Sequence, residues 1–404
     1  MAEKHITRLL VVSHVIHYKW NNAFYAYNPY AREIEIWADL FPRVIIAAPL
    51  RNERPPSDCR PFGRTNIEVS EQLEHGGNTW YDKIFRTLSL PFLLIGLANA
   101  MSKADAIQVR CPGNLGLLGA LLAPLFSPYR IAKYAGQWNG YEGEANSYRW
   151  QRDILQSKWW NAPVLVYGEW PNQPTHIKPF FTSIMNHEQI ERAKGACVGK
   201  RKHIPLRILF VGRLSRSKNV HVLIESLGNL YRKEVPVHAH IIGIGPELIK
   251  LQERTAELSL PEDKIAFLGG MNFEDILPEY EWADVLVLVS ETEGWPKVIA
   301  EAMAFGLICI GSNRGLVPQI LADGRGLVIE PGDENALSCL LMDICLGKVD
   351  FSSISKKASQ WAHGYSLDCL RRAIRDVLIH EWHLTDSDLE DSHEGKDRRP
   401  ALGR

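Results

Sequence analysis

Two short stretches combine residue types that could together hold a charged, hydroxyl-rich molecule. The first is residues 211–219, VGRLSRSKN. Gly212 lets the backbone turn sharply and approach a ligand closely. Arg213 and Lys218 are five apart, in a loop that enters a helix. Two cations beside the amides of a helix N-terminus suit a diphosphate; a solvated basic loop would also account for them. The second stretch is residues 290–306, SETEGWPKVIAEAMAFG, in which Glu293 and Glu301 are eight apart. Gly294 and Pro296 fit a tight strand-to-helix turn with proline near the helix start. The helix N-terminus around Lys297 and Val298 presents backbone N–H groups to an anion. A carboxylate accepts one hydroxyl on each oxygen, so Glu293 and Glu301 suit vicinal sugar hydroxyls. A helix cap and a surface residue are the plainer alternatives.

Both stretches need strands to carry them. Residues 207–211 (RILFV) and 285–289 (VLVLV) are short apolar runs directly before the two motifs. Further runs at 238–242, 265–268, 307–310 and 327–329 alternate with helical periodicity at 219–231, 247–258, 297–305 and 334–346. In the first half, the runs at 9–12, 44–47, 106–109 and 164–166 flank helical stretches at 30–41 and 113–125. Apolar runs separated by helices predict parallel strands buried on both faces, hence a doubly wound α/β sheet in each half. In such sheets ligands bind beyond the carboxyl ends of the strands, where both motifs fall. The polar, basic segment 186–204 reads as a linker between domains 1–185 and 205–365. Residues 366–384 read as a closing amphipathic helix packing back towards the N-terminal domain. The charged tail 385–404 reads as disordered.

A chain of 404 residues is too long for one core, which agrees with two domains. A net charge of -1 gives no reason to expect nucleic acid as a partner. Seven cysteines, with no CxxC pair, argue against a disulfide framework or a zinc cluster and fit a reducing, cytoplasmic setting. The apolar stretches 88–100 and 115–126 fall short of the roughly 18–20 residues that span a bilayer. They read as buried or amphipathic helices that could touch a membrane surface. Asp386–Asp388 (DSD) has no strand before it and reads as a solvated charge run, not a metal motif. Gly243 and Gly245 lack the third glycine and the acidic residue of a dinucleotide fingerprint.

Taken together, the motifs resemble those of the family 4 glycosyltransferases. GRLSRSKN is similar to that family's Gly-Arg…Lys element, and ETEGWPKVIAEAMAFG to its E-x7-E signature. GIGPE at 243–247, LGGM at 268–271 and GRGLVIEPGD at 324–333 match as well. The resemblance is strong over about residues 207–346 and general elsewhere. It implies a GT-B architecture, two Rossmann-like domains facing across a cleft. It also implies a retaining enzyme that uses a nucleotide-diphosphate sugar and no metal. By it, Arg213 and Lys218 grip the diphosphate, Glu301 holds the ribose, and Glu293 contacts the transferred sugar. Leu268 and Gly269 offer backbone to the base. Gly212, Gly243, Gly294, Trp295, Pro296, Lys297 and Val298 complete the donor site. A carbohydrate or lipid-linked acceptor, in polysaccharide or glycoconjugate assembly, is the expected partner.

The sequence departs from that family in three places. The first strand is followed by SHVIHYKWNNAFYAY, without the usual glycine pair. Gly136 or Gln137 stands where a histidine is common, and Gln319 replaces a glutamate. His14 or His17 could supply what is missing, or could be packing residues. Trp138, Tyr141, Trp150, Trp159, Trp160 and Trp170 could stack on sugar rings or simply fill a core. From these, His14, Gly136, Gln137 and Trp138 are the acceptor-site candidates. Two other readings compete: another two-Rossmann sugar-nucleotide enzyme of epimerase or phosphorylase type, and a non-catalytic scaffold of the same fold.

Overall fold

The apolar runs become strands of two parallel sheets in the computed structural model. It describes residues 6–56, 58–74, 80–141, 143–183, 185–385 and 388–389, with the backbone alone for 80–88. The DSD tripeptide begins outside the described residues, and so does the tail from 390 onward. The chain divides into two units, Met1–Phe180 with Cys369–Arg404, and Phe181–Asp368.

The N-terminal unit contains β1 (Arg8–Val12), β2 (His17–Trp20), β3 (Ala23–Tyr27), β4 (Arg43–Ala48), β5 (Leu50–Arg51), β6 (Cys59–Pro61), β7 (Ile67–Glu71), β8 (Ala106–Cys111), β9 (Arg130–Tyr134), β10 (Val164–Tyr167) and β11 (Ile177–Phe180). Seven of them form a parallel sheet in the order β11-β10-β9-β8-β1-β4-β7. Leu9, Leu10, Val11 and Val12 are all fully buried, as a strand covered on both faces requires. Strand order reverses between β1 and β8. The other four strands make a small sheet ordered β5-β2-β3-β6. Its hairpin, β2 to β3, turns through Asn21 and Asn22, both left-handed at φ 48° and 59°. Two such residues give the turn whose twist matches paired strands. This hairpin lies within residues 13–27, a stretch without glycine.

The C-terminal unit contains β12 (Leu206–Val211), β13 (Val237–Ile242), β14 (Ile265–Gly269), β15 (Val285–Leu288), β16 (Ile308–Ser312) and β17 (Leu327–Ile329). They form one parallel sheet in the order β14-β13-β12-β15-β16-β17. Counted from its own first strand this is 3-2-1-4-5-6, the Rossmann order. Its reversal lies between β12 and β15, whose pairing runs Ile208 to Val285 and Leu209 to Leu286.

The predicted linker is not a linker. His187–Cys197 is a helix with a full capping box: Asn186 accepts from the Gln189 amide at 2.9 Å and Gln189 from the Asn186 amide at 2.8 Å. It packs within the C-terminal unit, where Gln189 donates to Glu274 at 2.5 Å and Arg192 pairs with Glu281 at 2.6 Å. Just beyond it, fully buried Asp284 accepts from the His203 amide (3.1 Å), the His203 ring (2.8 Å) and the Arg207 amide (3.0 Å). The unit therefore begins near Phe181, not near residue 205. The closing helix is Leu367–Trp382; from Cys369 onward it groups with the N-terminal unit. There Trp382 packs edge-on against Phe41 and Tyr129, and Glu381 pairs with Lys178 at 2.8 Å. No helix among the described residues is long and apolar enough to cross a membrane.

Candidate active site

The reversal between β12 and β15 brings the two motif loops side by side. Three hydrogen bonds sew them together. The Glu291 amide donates to the Ser217 carbonyl at 2.8 Å. The Asn219 side-chain amide donates to the Val289 carbonyl at 3.1 Å and to the Glu291 carboxylate at 2.7 Å. Asn219 is 5% exposed and left-handed at φ 52°, a conformation asparagine tolerates better than most residues. Neither Asn219 nor Glu291 stands out in the sequence, because their partnership exists only once β15 lies beside β12.

Across this seam Lys218 Nζ contacts Glu293 Oε1, with side-chain exposures of 26% and 11%. Lys218 of the first motif and Glu293 of the second are thus adjacent in space. Arg213 lies on the same loop, with its side chain exposed. Gly212 donates its amide to the Ile242 carbonyl at 3.0 Å. A Cβ on Gly243 would sit 1.8 Å from the Gly212 carbonyl oxygen, and Gly243 has φ 148°. The glycines of GIGPE thus let one loop press on the next, a backbone role separate from any dinucleotide fingerprint. Gly269 closes β14 at φ 71° with open space where a side chain would be, and Leu268 precedes it half-buried.

Pro296 caps the helix Lys297–Ala304 without a side-chain bond, after half-buried Gly294 and ahead of half-buried Val298. One turn in, Glu301 is 6% exposed and accepts from the Tyr280 hydroxyl at 2.8 Å. Burial, then the neighbouring Glu301 charge, pushes the Tyr280 hydroxyl well above its ordinary range, so it stays a donor. Glu301 lines a small cavity with Thr182, Trp295, Lys297 and Tyr365. Trp295 belongs to an aromatic cluster, 5.3 Å from Tyr365 and 6.1 Å from both Trp361 and Phe181. Its ring therefore packs against protein.

In the N-terminal unit, the loops after β1 and β8 also meet at that sheet's reversal. The His14 ring lies against Gly113, where a Cβ would come within 2.5 Å of Nδ1. Burial, helped by the Arg110 charge, lowers the His14 pKa. His17 is fully buried between Tyr30 and Phe62 and donates from Nδ1 to the Val15 carbonyl at 2.8 Å. Burial takes its pKa down to about 4, so at neutral pH it is an uncharged packing residue. The acceptor assignment of Trp138 does not survive. It is 3% exposed, packs edge-on against Tyr134 and donates to Gln173 at 3.2 Å, so its ring has no face for a sugar. Gly136 lies against Pro112, and Gln137 donates to the Asn139 carbonyl at 3.1 Å. The far end of this loop is pinned by Glu144, which pairs with Arg152.

Residues 199–361 match the family model described as glycosyl transferases group 1. The amylovoran biosynthesis glycosyltransferase AmsK of Erwinia amylovora is 32% identical over 155 residues, 37% of this chain and 38% of that protein. The putative colanic acid biosynthesis glycosyltransferase WcaL of Salmonella typhimurium is 27% identical over 186 residues, 43% of this chain and 45% of its own. The matches thus span less than half of either relative. Solved structures cover far more. HepE of Anabaena, in complex with UDP and glucose, aligns over 93% of this chain and 99% of its own with a TM-score of 0.64 at 16% identity. Sucrose-phosphate synthase of Thermosynechococcus elongatus gives a TM-score of 0.67 at 17% identity, over 93% of this chain and 99% of its own. The fold is that of the GT-B glycosyltransferases, with two Rossmann-like domains. The family match lies within the C-terminal unit.

Proposed function

We propose that this chain is a retaining, metal-independent glycosyltransferase of the family 4 type. It moves a hexosyl group from a nucleotide-diphosphate sugar to a carbohydrate or lipid-linked acceptor in surface polysaccharide assembly. The observation that carries the reading is the adjacency of Lys218 and Glu293 at the strand reversal of a Rossmann sheet, the place where such sheets bind nucleotides. Arg213 and Lys218 offset the charge that grows on the departing diphosphate, as a metal does elsewhere. Glu301, oriented by Tyr280, holds the ribose, and Glu293 reaches the transferred sugar. The named relatives act in amylovoran and colanic acid biosynthesis, and HepE was solved with UDP and glucose; these facts favour a uridine donor and a polysaccharide product.

The reading includes a cytoplasmic enzyme that touches the membrane face through its N-terminal unit. Phe92 (71% exposed), Ile95 (67%) and Leu125 (66%) are large apolar groups left in water there. Exposed Trp159 donates to the Leu121 carbonyl at 3.2 Å, tying it to the same helical region. Such residues suit the interface of a bilayer.

The decisive experiment is a thermal-shift screen with UDP, GDP and ADP, followed by turnover assays with the matching nucleotide sugars. A ligand at 100 times its Kd raises stability by about 2.7 kcal/mol. Glu293→Ala and Lys218→Ala should each abolish turnover in a folded protein. No shift with any nucleotide would favour the scaffold reading. Activity unharmed by a chelator is expected, and its loss would refute metal independence.

A further inference from the structure

Lys218 is held on a short tether. Its amide donates to the Ser215 carbonyl at 3.0 Å, and the next residue, Asn219, is anchored to β15's exit loop by two bonds. Glu293 leaves that same exit loop two residues after Glu291, itself bonded to the Ser217 carbonyl. The backbones on both sides of the Lys218–Glu293 pair are thus stitched together. The pair is a fixed feature of the site, with the carboxylate only 11% exposed.

A half-buried ammonium calls for an anion, and here a side chain provides it. A diphosphate entering the loop would place at least two negative charges beside the same ammonium. Glu293 would then face like charge at contact range, a destabilising arrangement. We propose that Glu293 is the internal counter-ion of Lys218, and that a nucleoside diphosphate displaces it. This rests on the functional reading above and deepens it. Binding of the donor's phosphate end releases the carboxylate that the donor's sugar end requires. Paired with Lys218, Glu293 is neutralised; displaced, it is presented.

The exchange has a signature in the affinity for nucleoside diphosphates, which have no sugar for Glu293 to contact. Titration calorimetry on the full chain with UDP, GDP and ADP would measure it in four proteins: unaltered, Glu293→Gln, Lys218→Met, and both together. Removing the competing carboxylate should tighten binding about fivefold. That corresponds to about 1 kcal/mol, the upper end for a partly exposed ion pair. In the Lys218→Met background the same change should tighten binding clearly less, since only direct repulsion remains and no ammonium is left to compete for. Unchanged or weaker binding by Glu293→Gln would overturn the proposal. Equal tightening in both backgrounds would also overturn it, because general repulsion would then explain the gain. If the unaltered chain binds none of the three nucleotides, the functional reading falls first and this inference with it. Melting curves on all four proteins show whether any loss of binding is a loss of fold.

Discussion

Asn219 offers the sharpest test of how the two motif loops are held. Replacing it with alanine removes both side-chain bonds. The Glu291 carboxylate is exposed and regains water, but the Val289 carbonyl belongs to a residue only 2% exposed and stays unsatisfied. Stranding a buried acceptor costs about 1–3 kcal/mol. Alanine must also adopt φ 52°, which adds about 1 kcal/mol. Asn219→Ala should therefore lose about 2–4 kcal/mol. Asn219→Gly loses the same bonds but accepts the backbone angle, so it should lose about 1 kcal/mol less. Urea unfolding of the full chain measures the difference as a shift in the C-terminal unit's transition at constant slope. Both variants should also bind nucleoside diphosphates more weakly, because Lys218 loses its anchor. If alanine is no worse than glycine, or if both stay within about 0.5 kcal/mol of the unaltered protein, the seam is not what fixes these loops.

Gly243→Ala forces a Cβ to 1.8 Å from the Gly212 carbonyl oxygen, so the two loops must part. A stability loss of about 3 kcal/mol and no measurable nucleotide binding are expected; a melting curve and a titration check both. Tyr280→Phe takes a donor from buried Glu301, and should cost about 1–2 kcal/mol while weakening nucleoside more than phosphate binding. His17 carries a pH prediction. Its pKa falls from 6.5 to about 4 on folding, so the unfolded chain holds the extra proton between those values. Stability is intact above pH 6.5 and falls on acidification, by about 3 kcal/mol in all at pH 4. In His17→Phe that slope should shrink between pH 6.5 and 4 when urea midpoints are compared; an unchanged slope would place the acid sensitivity elsewhere.

Most of the C-terminal unit was legible because its strands are buried on both faces and read as unbroken apolar runs between helical periods. The motif residues were legible because Gly212, Lys218, Glu293 and Glu301 sit at the ends of those runs. What escaped was fixed by contacts distant in sequence. The Asn219–Glu291 bond needs strand order, which no local pattern carries. Trp138 could have been a stacking platform or a core residue, and only its burial separates the two. The helix His187–Cys197 lacks a strong apolar stripe, so its polar composition read as a linker. Yet Asn186 and Gln189, three apart, are a helix-start signal that was available. The β2–β3 hairpin is likewise written as Tyr-Lys-Trp, Asn-Asn and Ala-Phe-Tyr, but its turn carries asparagines in place of the glycine that usually marks such a turn.

The buried carboxylate of Asp284 has a practical consequence for dissecting the molecule. Two of its three hydrogen bonds come from His203, which lies in the stretch that resembles a dispensable connector. A fragment trimmed to begin at residue 205 would strip those donors away and leave the buried side chain with the Arg207 amide alone of the three. One that starts near residue 181 retains them, along with the capped helix His187–Cys197. Whoever expresses the C-terminal unit by itself should cut upstream of residue 181, since the stretch 186–204 is part of its foundation.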